Sequence, residues 1–141
     1  MRLFLDTSVL LAASGSATGA SREIFRLAAN NSWTLIATPY VMEEVSRNLS
    51  NFPADATAYW GRLRRELLLL DDVFTVDRPT VFAPAKDRPI LFGALAWADV
   101  LLTLDRGDFE TFLGREFYGL AILTPGHFLM REREAKRLKI D

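Results

Sequence analysis

The sequence predicts an α/β fold in which helices flank a mainly parallel central sheet. Short segments rich in aliphatic residues alternate along the chain with stretches whose apolar residues recur at helical spacing, a pattern typical of parallel strands joined by helices. The length of 141 residues suits one domain, which would bury about two-thirds of the surface of its unfolded chain. We therefore expect a single domain covering residues 1–141.

The first half of the chain supplies strands and helices in alternation. Short aliphatic runs predict strands at Arg2–Leu5, 33–37 and near 73–76. Helical spacing predicts helices at 8–13, after Ser21, from Thr38 to about residue 49, and over a segment containing Trp60, Leu63 and 67–70. Ser21 and Thr38 are residue types that favour the N-cap, and Pro39 follows Thr38 in the first turn. The helix after Thr38 therefore has the clearest start.

The second half continues the alternation after an irregular connection at 77–85, where two prolines interrupt any regular pattern. Further elements are predicted as a helix starting near Pro89, an interior strand at 100–104, a last strand at 121–123, and a solvated helical end from Met130. We find no repeat or linker that indicates a second domain.

Composition excludes several classes of site. The chain has no cysteine, so it has neither disulfides nor thiolate metal ligands, and a reducing compartment such as the cytoplasm suits it. Asp6 interrupts the apolar start too early for a signal peptide. No apolar run approaches the roughly 20 residues of a spanning helix. We expect a cytoplasmic protein without a membrane partner.

The formal net charge of −1 counts against a nucleic-acid-binding protein, because such proteins usually carry a basic surface. If four of the 18 acidic residues bind metal, the other 14 and the 17 basic residues leave a net charge of +3 on the rest of the chain. Metal ions would also make the acidic site attractive to phosphate.

Two aspartates directly follow predicted strands. Asp6 follows the first strand, and Asp105 follows the strand at 100–104. In open parallel sheets, ligands bind at the carboxyl ends of the strands, so both side chains can share one crevice. Each could instead cap a helix, since aspartate favours that position and Asp108 lies three residues after Asp105.

Glu44 and Asp87 complete a set of four acids. Glu44 lies beside Glu43 in the helix after the second strand, and Asp87 precedes the helix near Pro89. Taken singly, Glu44 could be a solvated glutamate and Asp87 an N-cap. Together with the strand-end aspartates they would repel one another unless a cation is present. Oxygen ligands favour Mg²⁺ or Mn²⁺, and a chain with one histidine and no cysteine disfavours zinc.

Four segments resemble the motifs of a known family, the PIN-domain ribonucleases, which include the VapC-like toxins of toxin–antitoxin pairs. The segments are Leu5-Asp-Thr-Ser8, Thr38-Pro-Tyr-Val-Met-Glu-Glu-Val45, Asp87-Arg-Pro-Ile90 and Ala98-Asp-Val-Leu-Leu-Thr-Leu-Asp-Arg-Gly-Asp-Phe109. The resemblance covers nearly the whole chain and implies a PIN-like, Rossmann-like domain.

The resemblance also implies function. It implies that Asp6, Glu44, Asp87 and Asp105 are both the catalytic residues and the ligands of Mg²⁺ or Mn²⁺. Thr7, Ser8 and Thr103 would support them by hydrogen bonds, and Asp108 is a peripheral candidate. The implied reaction is endonucleolytic hydrolysis of RNA, leaving a 5′-phosphate and a 3′-hydroxyl. A cognate antitoxin and a homodimer are the implied protein partners.

Other residues are assigned structural roles. Asp99 precedes the strand that Asp105 follows, so it should lie at the opposite end of the sheet. His127, the only histidine, lies beyond the last strand and is expected on the surface or at a helix cap. Five arginines could contact phosphate, although a solvated helix face also accounts for them: Arg22, Arg26, Arg62, Arg64 and Arg65.

Two alternative functions remain open. A phosphoacceptor receiver domain also places aspartates at strand ends, but it needs a strand-end lysine, and none of Lys86, Lys136 and Lys139 follows a predicted strand. A non-catalytic PIN fold that binds RNA or protein would be expected to lose acids of the set, whereas all four are present.

Overall fold

The computed structural model describes residues 1–74, 88–107, 109 and 112–141, and it contains a six-stranded sheet. The strands are β1 (Arg2–Leu5), β2 (Thr34–Ala37), β3 (Leu68–Leu69), β4 (Val100–Leu102), β5 (Arg115–Phe117) and β6 (Leu120–Leu123). Their order is β3-β2-β1-β4-β6-β5, and only β5 pairs antiparallel. The predicted α/β fold with a mainly parallel sheet is confirmed.

Six α-helices lie between and after the strands within the described ranges: α1 (Thr7–Gly15), α2 (Ala20–Ala28), α3 (Pro39–Asn48), α4 (Ala56–Leu63), α5 (Arg88–Trp97) and α6 (Pro125–Glu134). Two short 3₁₀ turns follow α3 and α4, at Leu49–Asn51 and Arg64–Glu66. No helix in this part of the chain is long and apolar enough to cross a bilayer.

The order of the strands argues against the receiver alternative. Receiver domains have the order 2-1-3-4-5, whereas β1 here lies between β2 and β4 in a 3-2-1-4 arrangement. The strand order reverses at β1, because β2 and β3 follow on one side of it and β4 on the other, so the crevice expected in a Rossmann-like sheet lies at the carboxyl end of β1.

Strand β1 forms the centre of the core. Leu3, Phe4 and Leu5 have no exposed surface, and β1 pairs on one side with β2 and on the other with β4. A strand covered on both faces has no polar face, which explains its continuous apolar run.

Helix α5 covers the face of the sheet to which Phe4 points. A Cβ atom on Gly93 would lie 3.1 Å from Phe4 Cε2 and 3.5 Å from Thr38 Cγ2. Side chains two residues apart in a strand share a face, so Asp6, two residues after Phe4, projects toward the α5 side. Asp99, just beyond the C-terminus of α5, bonds through its N–H to the Arg2 carbonyl, so α5 begins at the opposite, carboxyl edge.

The close approach at Gly93 yields a prediction with a matched control. Gly93→Ala should destabilise the protein by about 1–2 kcal/mol, because the fully buried Phe4 ring has little room to move. Gly61→Ala, at an exposed position of α4 with no atom within 4 Å of the added Cβ, should stabilise it by about 0.5–1 kcal/mol. Urea unfolding of the two variants should therefore give changes of opposite sign. Equal changes would show that α5 does not pack as described.

The segment at 67–70 corrects one prediction. Its four leucines were assigned to a helix, with a strand near 73–76, but α4 ends at Leu63 and Leu68–Leu69 forms β3, paired with Ile36 and Ala37. The leucines satisfy a helical pattern and a strand pattern equally, and the exposed Arg64–Glu66 turn separates them from α4. Residues 75 and 76 lie outside the described residues, as does the predicted irregular connection at 77–85.

The predicted solvated helical end from Met130 is correct only in part, because residues 130–134 are helical and most of the tail is exposed, but one charged side chain is buried and the last residues are held by hydrogen bonds. Helix α6 ends at Glu134, and Glu132, expected on a solvated face, is only 2% exposed. The Arg137 guanidinium donates to both Glu132 carboxylate oxygens, at 3.1 and 2.6 Å. Asn31 binds the Lys139 backbone through its side-chain amide. The charge alternation therefore marks a docked tail.

The N-cap of α2 also differs from the prediction. Gly19, and not Ser21, occupies the N-cap of α2, and Ser21 is buried inside the helix.

Strand β5 was not predicted. It forms a hairpin with β6 through Tyr118 and Gly119, which have φ of +50° and +82°. Positive φ at both positions is typical of a two-residue hairpin turn, but tyrosine does not signal such a turn.

Candidate active site

Four parallel strands end in a row of polar residues. Asp6 follows β1, Thr38 follows β2, Thr103 follows β4 and Thr124 follows β6. The strand registers place these residues side by side, because Ala37, Leu5, Leu102 and Leu123 close the paired strands before them. The Asp6 N–H donates to the Leu102 carbonyl and the Thr103 N–H donates to the Leu123 carbonyl, which extends the pairing to the row. We call Thr38, Asp6, Thr103 and Thr124 the strand-end row.

Asp6 lies inside this row and is 4% exposed. The Ser8 hydroxyl donates to Asp6 Oδ2 at 2.9 Å, and the Thr103 hydroxyl donates to the same oxygen at 2.6 Å. Although Asp6 occupies the N-cap of α1, its side chain makes no capping hydrogen bond. The alternative in which Asp6 serves as a side-chain cap is therefore wrong, and Ser8 and Thr103 do hydrogen-bond to its carboxylate.

Burial makes Asp6 costly to ionise. The pKa of the Asp6 carboxyl rises from 3.8 to about 6, mainly through burial and to a smaller extent through the negative charge of Glu44, although hydrogen bonds from Thr103, Ser8 and the Thr7 backbone lower it. Within the described residues, no arginine or lysine forms an ion pair with Asp6. Asp6 is thus a buried acid without a protein counterion in this part of the chain.

Glu44 approaches the site from α3. The Thr7 hydroxyl, at the start of α1, donates to Glu44 Oε1 at 2.8 Å, and the Glu44 side chain is half-buried. Its neighbour Glu43 is 71% exposed at the side chain and lies 3.9 Å from Arg47. The structure therefore distinguishes the two glutamates: Glu44 faces Thr7 and the site, whereas Glu43 faces solvent.

Asp105 lies beyond the end of β4 and is half-buried. Its backbone N–H donates to Thr103 Oγ1 at 3.0 Å, so one hydroxyl connects the Asp6 carboxylate to the Asp105 backbone. The Leu104 N–H donates to Ser8 Oγ at 3.0 Å and connects the same loop to α1. The loop that carries Asp105 is therefore fixed to the residues around Asp6.

Two of the predicted acids are not among the described residues. Asp87 and Asp108 lie outside the described residues. Among the residues that are described, no three acidic or histidine side chains lie close enough together to hold one ion. The donors around Asp6 are carboxylate and hydroxyl oxygens, a set that fits a hard cation such as Mg²⁺ or Mn²⁺. The four-carboxylate arrangement remains a prediction.

Sequence reasoning missed Asp72. Its carboxylate oxygens accept the Tyr40 N–H at 3.1 and 3.3 Å, so Asp72 caps α3, while the Thr38 side chain makes no capping bond. Thr38 does occupy the N-cap position, but through its backbone alone. An acid just after a strand could have been noticed, but the strand was predicted at 73–76, beyond Asp72.

The residues assigned structural roles behave as predicted. Asp99 lies at the amino edge of the sheet, where its carboxylate accepts the Arg2 N–H at 2.8 Å. His127 is exposed on α6, and its backbone N–H donates to Thr124 Oγ1.

Of the five arginines, Arg26 forms an ion pair with Glu23. Arg22 and Arg62 approach the ring of Tyr59 from α2 and α4, at 4.3 and 5.5 Å from its centroid. Arg22 also donates through Nε to the Ala13 carbonyl at the end of α1. A role for these side chains in phosphate contact remains a prediction.

No protein-family model matches the sequence, and no curated protein gives a significant match.

Proposed function

We propose that the protein is a metal-dependent endoribonuclease of the PIN type. The observation that carries the proposal is Asp6, an acid that is 4% exposed, held by two hydroxyls at a strand end, and without a described basic partner. A buried carboxylate in this setting resists ionisation, and a divalent cation removes that penalty. The motif resemblance supports a phosphodiester as the substrate.

The chain's own residues would act mainly by positioning. Thr103 and Ser8 fix the orientation of the Asp6 carboxylate, and Thr7 fixes that of Glu44. We propose Asp6, Glu44, Asp87 and Asp105 as ligands of Mg²⁺ or Mn²⁺. When bound, such a cation supplies a water of lowered pKa and offsets the charge of the phosphate. The negative charges of Asp6 and Glu44 would then stabilise the bound cation.

The biological role is part of the same proposal and depends on the motif resemblance. RNA, single-stranded or structured, is the proposed substrate, a cognate antitoxin the proposed protein partner, and a homodimer the proposed assembly. The absence of cysteine from the sequence suits the proposed cytoplasmic location.

The two adjacent glutamates provide a direct test. Glu44→Gln should reduce metal-dependent RNA cleavage by about 100-fold or more, because it removes a charge that faces the site. Glu43→Gln, one residue away and exposed, should leave the rate within about two-fold. Initial rates on a labelled RNA in Mn²⁺ would measure both.

Equal effects of the two substitutions on the cleavage rate would show that Glu44 is not a ligand of the metal. If neither variant nor the wild type cuts RNA but all of them bind it, the non-catalytic PIN fold becomes the better account.

A further inference from the structure

Thr38 carries a buried hydroxyl without a hydrogen-bond partner. The residue has no exposed surface, and its Oγ1 makes no hydrogen bond to any group in the described part of the chain. Buried polar groups are nearly always paired, since leaving one unpaired sacrifices its bonds to water. An unpaired group in a native structure therefore calls for a ligand or a bound water.

The missing partner is not the helix that Thr38 precedes. Threonine at an N-cap normally accepts a backbone N–H from the first turn, but the Asp72 carboxylate accepts the Tyr40 N–H instead. The Thr38 methyl group is accounted for, because Cγ2 faces Gly93 of α5. Its hydroxyl is the part of the side chain that no described contact explains.

The strand-end row places Thr38 next to Asp6. Asp6 stands between Thr103 and Thr38 on adjacent parallel strands, which run about 4.8 Å apart. On the Thr103 side, the hydroxyl reaches Asp6 Oδ2 directly at 2.6 Å. On the other side, the Thr38 hydroxyl makes no hydrogen bond to Asp6. A water oxygen between the two side chains would give this hydroxyl a hydrogen-bond partner.

We infer that Thr38 Oγ1 accepts a hydrogen bond from a water molecule that hydrates the divalent cation held by Asp6. This inference rests on the proposed metal site. Mg²⁺ and Mn²⁺ keep several waters when protein carboxylates bind them, and those waters need acceptors. Thr38 is a positioning residue, because it acts on the cation through the water.

The test is calorimetric titration of the metal-free protein with Mn²⁺, which does not depend on knowing the RNA substrate. Thr38→Val keeps the shape and the β-branch but removes the hydroxyl, and it should weaken Mn²⁺ binding by about 10-fold. Thr38→Ser keeps the hydroxyl and should bind within about three-fold of the wild type. In EDTA, the Thr38→Val protein should melt at a higher temperature than the wild type, because an unpaired buried hydroxyl is gone.

Asp6→Asn separates failure of this inference from failure of the metal site. If the wild type binds Mn²⁺, Asp6→Asn does not, and Thr38→Val binds as the wild type does, then Thr38 has no part in the site and this inference alone is wrong. If the wild type binds no Mn²⁺, both the metal site and the role of Thr38 are wrong. Weaker Mn²⁺ binding by Thr38→Val, with near-wild-type binding by Thr38→Ser, supports the inference.

Discussion

RNA cleavage is expected to fall by about 1,000-fold when Asp6 is replaced by Asn, with the fold retained. Asparagine can present one oxygen to the Ser8 and Thr103 hydroxyls, so the hydrogen bonds at 2.9 and 2.6 Å can persist. The negative charge is lost, and with it the ability to hold a divalent cation. Asp105→Asn is expected to behave in the same way.

The matched control is Asp99→Asn. Asp99 is an aspartate beside the same central strands, but its carboxylate binds the Arg2 N–H at the amino edge of the sheet. Full activity of Asp99→Asn beside inactive Asp6→Asn would locate the activity at the carboxyl edge. Initial cleavage rates with a far-ultraviolet circular dichroism spectrum for each variant would measure both properties. If Asp6→Asn and Asp105→Asn both fail to fold, their role is structural.

The second large effect concerns stability without metal. In EDTA at pH 8, Asp6→Asn is expected to be more stable than the wild type by roughly 2–3 kcal/mol. Burial raises the pKa of Asp6 from 3.8 to about 6, and this difference is worth roughly 3 kcal/mol at about 1.4 kcal/mol per pH unit. The asparagine variant escapes this penalty because it carries no charge.

The sign of the pH dependence follows from linkage. Between about pH 4 and pH 6, the folded protein binds more protons at Asp6 than the unfolded chain does, so this group makes stability fall as the pH rises. Below about pH 3 the acid is largely neutral in both states and the penalty is absent. The stability difference between Asp6→Asn and the wild type should therefore be small at pH 4 and grow to its full value above pH 7.

Urea unfolding from pH 4 to pH 8 would test this dependence, with Glu43→Gln as the exposed control whose profile should follow that of the wild type. Adding Mn²⁺ at pH 8 should stabilise the wild type and leave Asp6→Asn unchanged. A difference between Asp6→Asn and wild type that does not vary with pH would show that the Asp6 carboxylate is not desolvated as described.

Sequence reasoning located the parts of the fold that burial determines strongly. Strand β1 was predicted with its observed bounds because Leu3, Phe4 and Leu5 are buried on both faces and read as one aliphatic run. The same signal located β2, β4 and β6 to within a few residues. The contact between Asp6 and Thr103 was implied by the motif resemblance alone, because the predicted strand at 100–104 contained Thr103, whereas β4 ends at Leu102.

The elements that were missed are those for which local signals are ambiguous. Strand β3 contains two leucines that are 43% and 52% exposed, so neither burial nor alternation distinguishes it from a helix. Strand β5 is joined to β6 by Tyr118 in a backbone conformation that glycine or asparagine usually adopts. The cap of α3 was assigned to the Thr38 side chain, whereas the Asp72 carboxylate provides it. Asp72 is distant in sequence from α3, so its role as a cap depends on tertiary structure.

The most direct test of the central claim is an assay of total cellular RNA with the purified protein in Mg²⁺, Mn²⁺ or EDTA, run beside Asp6→Asn. We expect fragments with 5′-phosphate ends in the presence of either metal, and neither EDTA nor Asp6→Asn should yield them. Cleavage that persists in EDTA, cleavage by Asp6→Asn at the wild-type rate, or intact RNA under every condition would contradict a metal-dependent ribonuclease centred on Asp6.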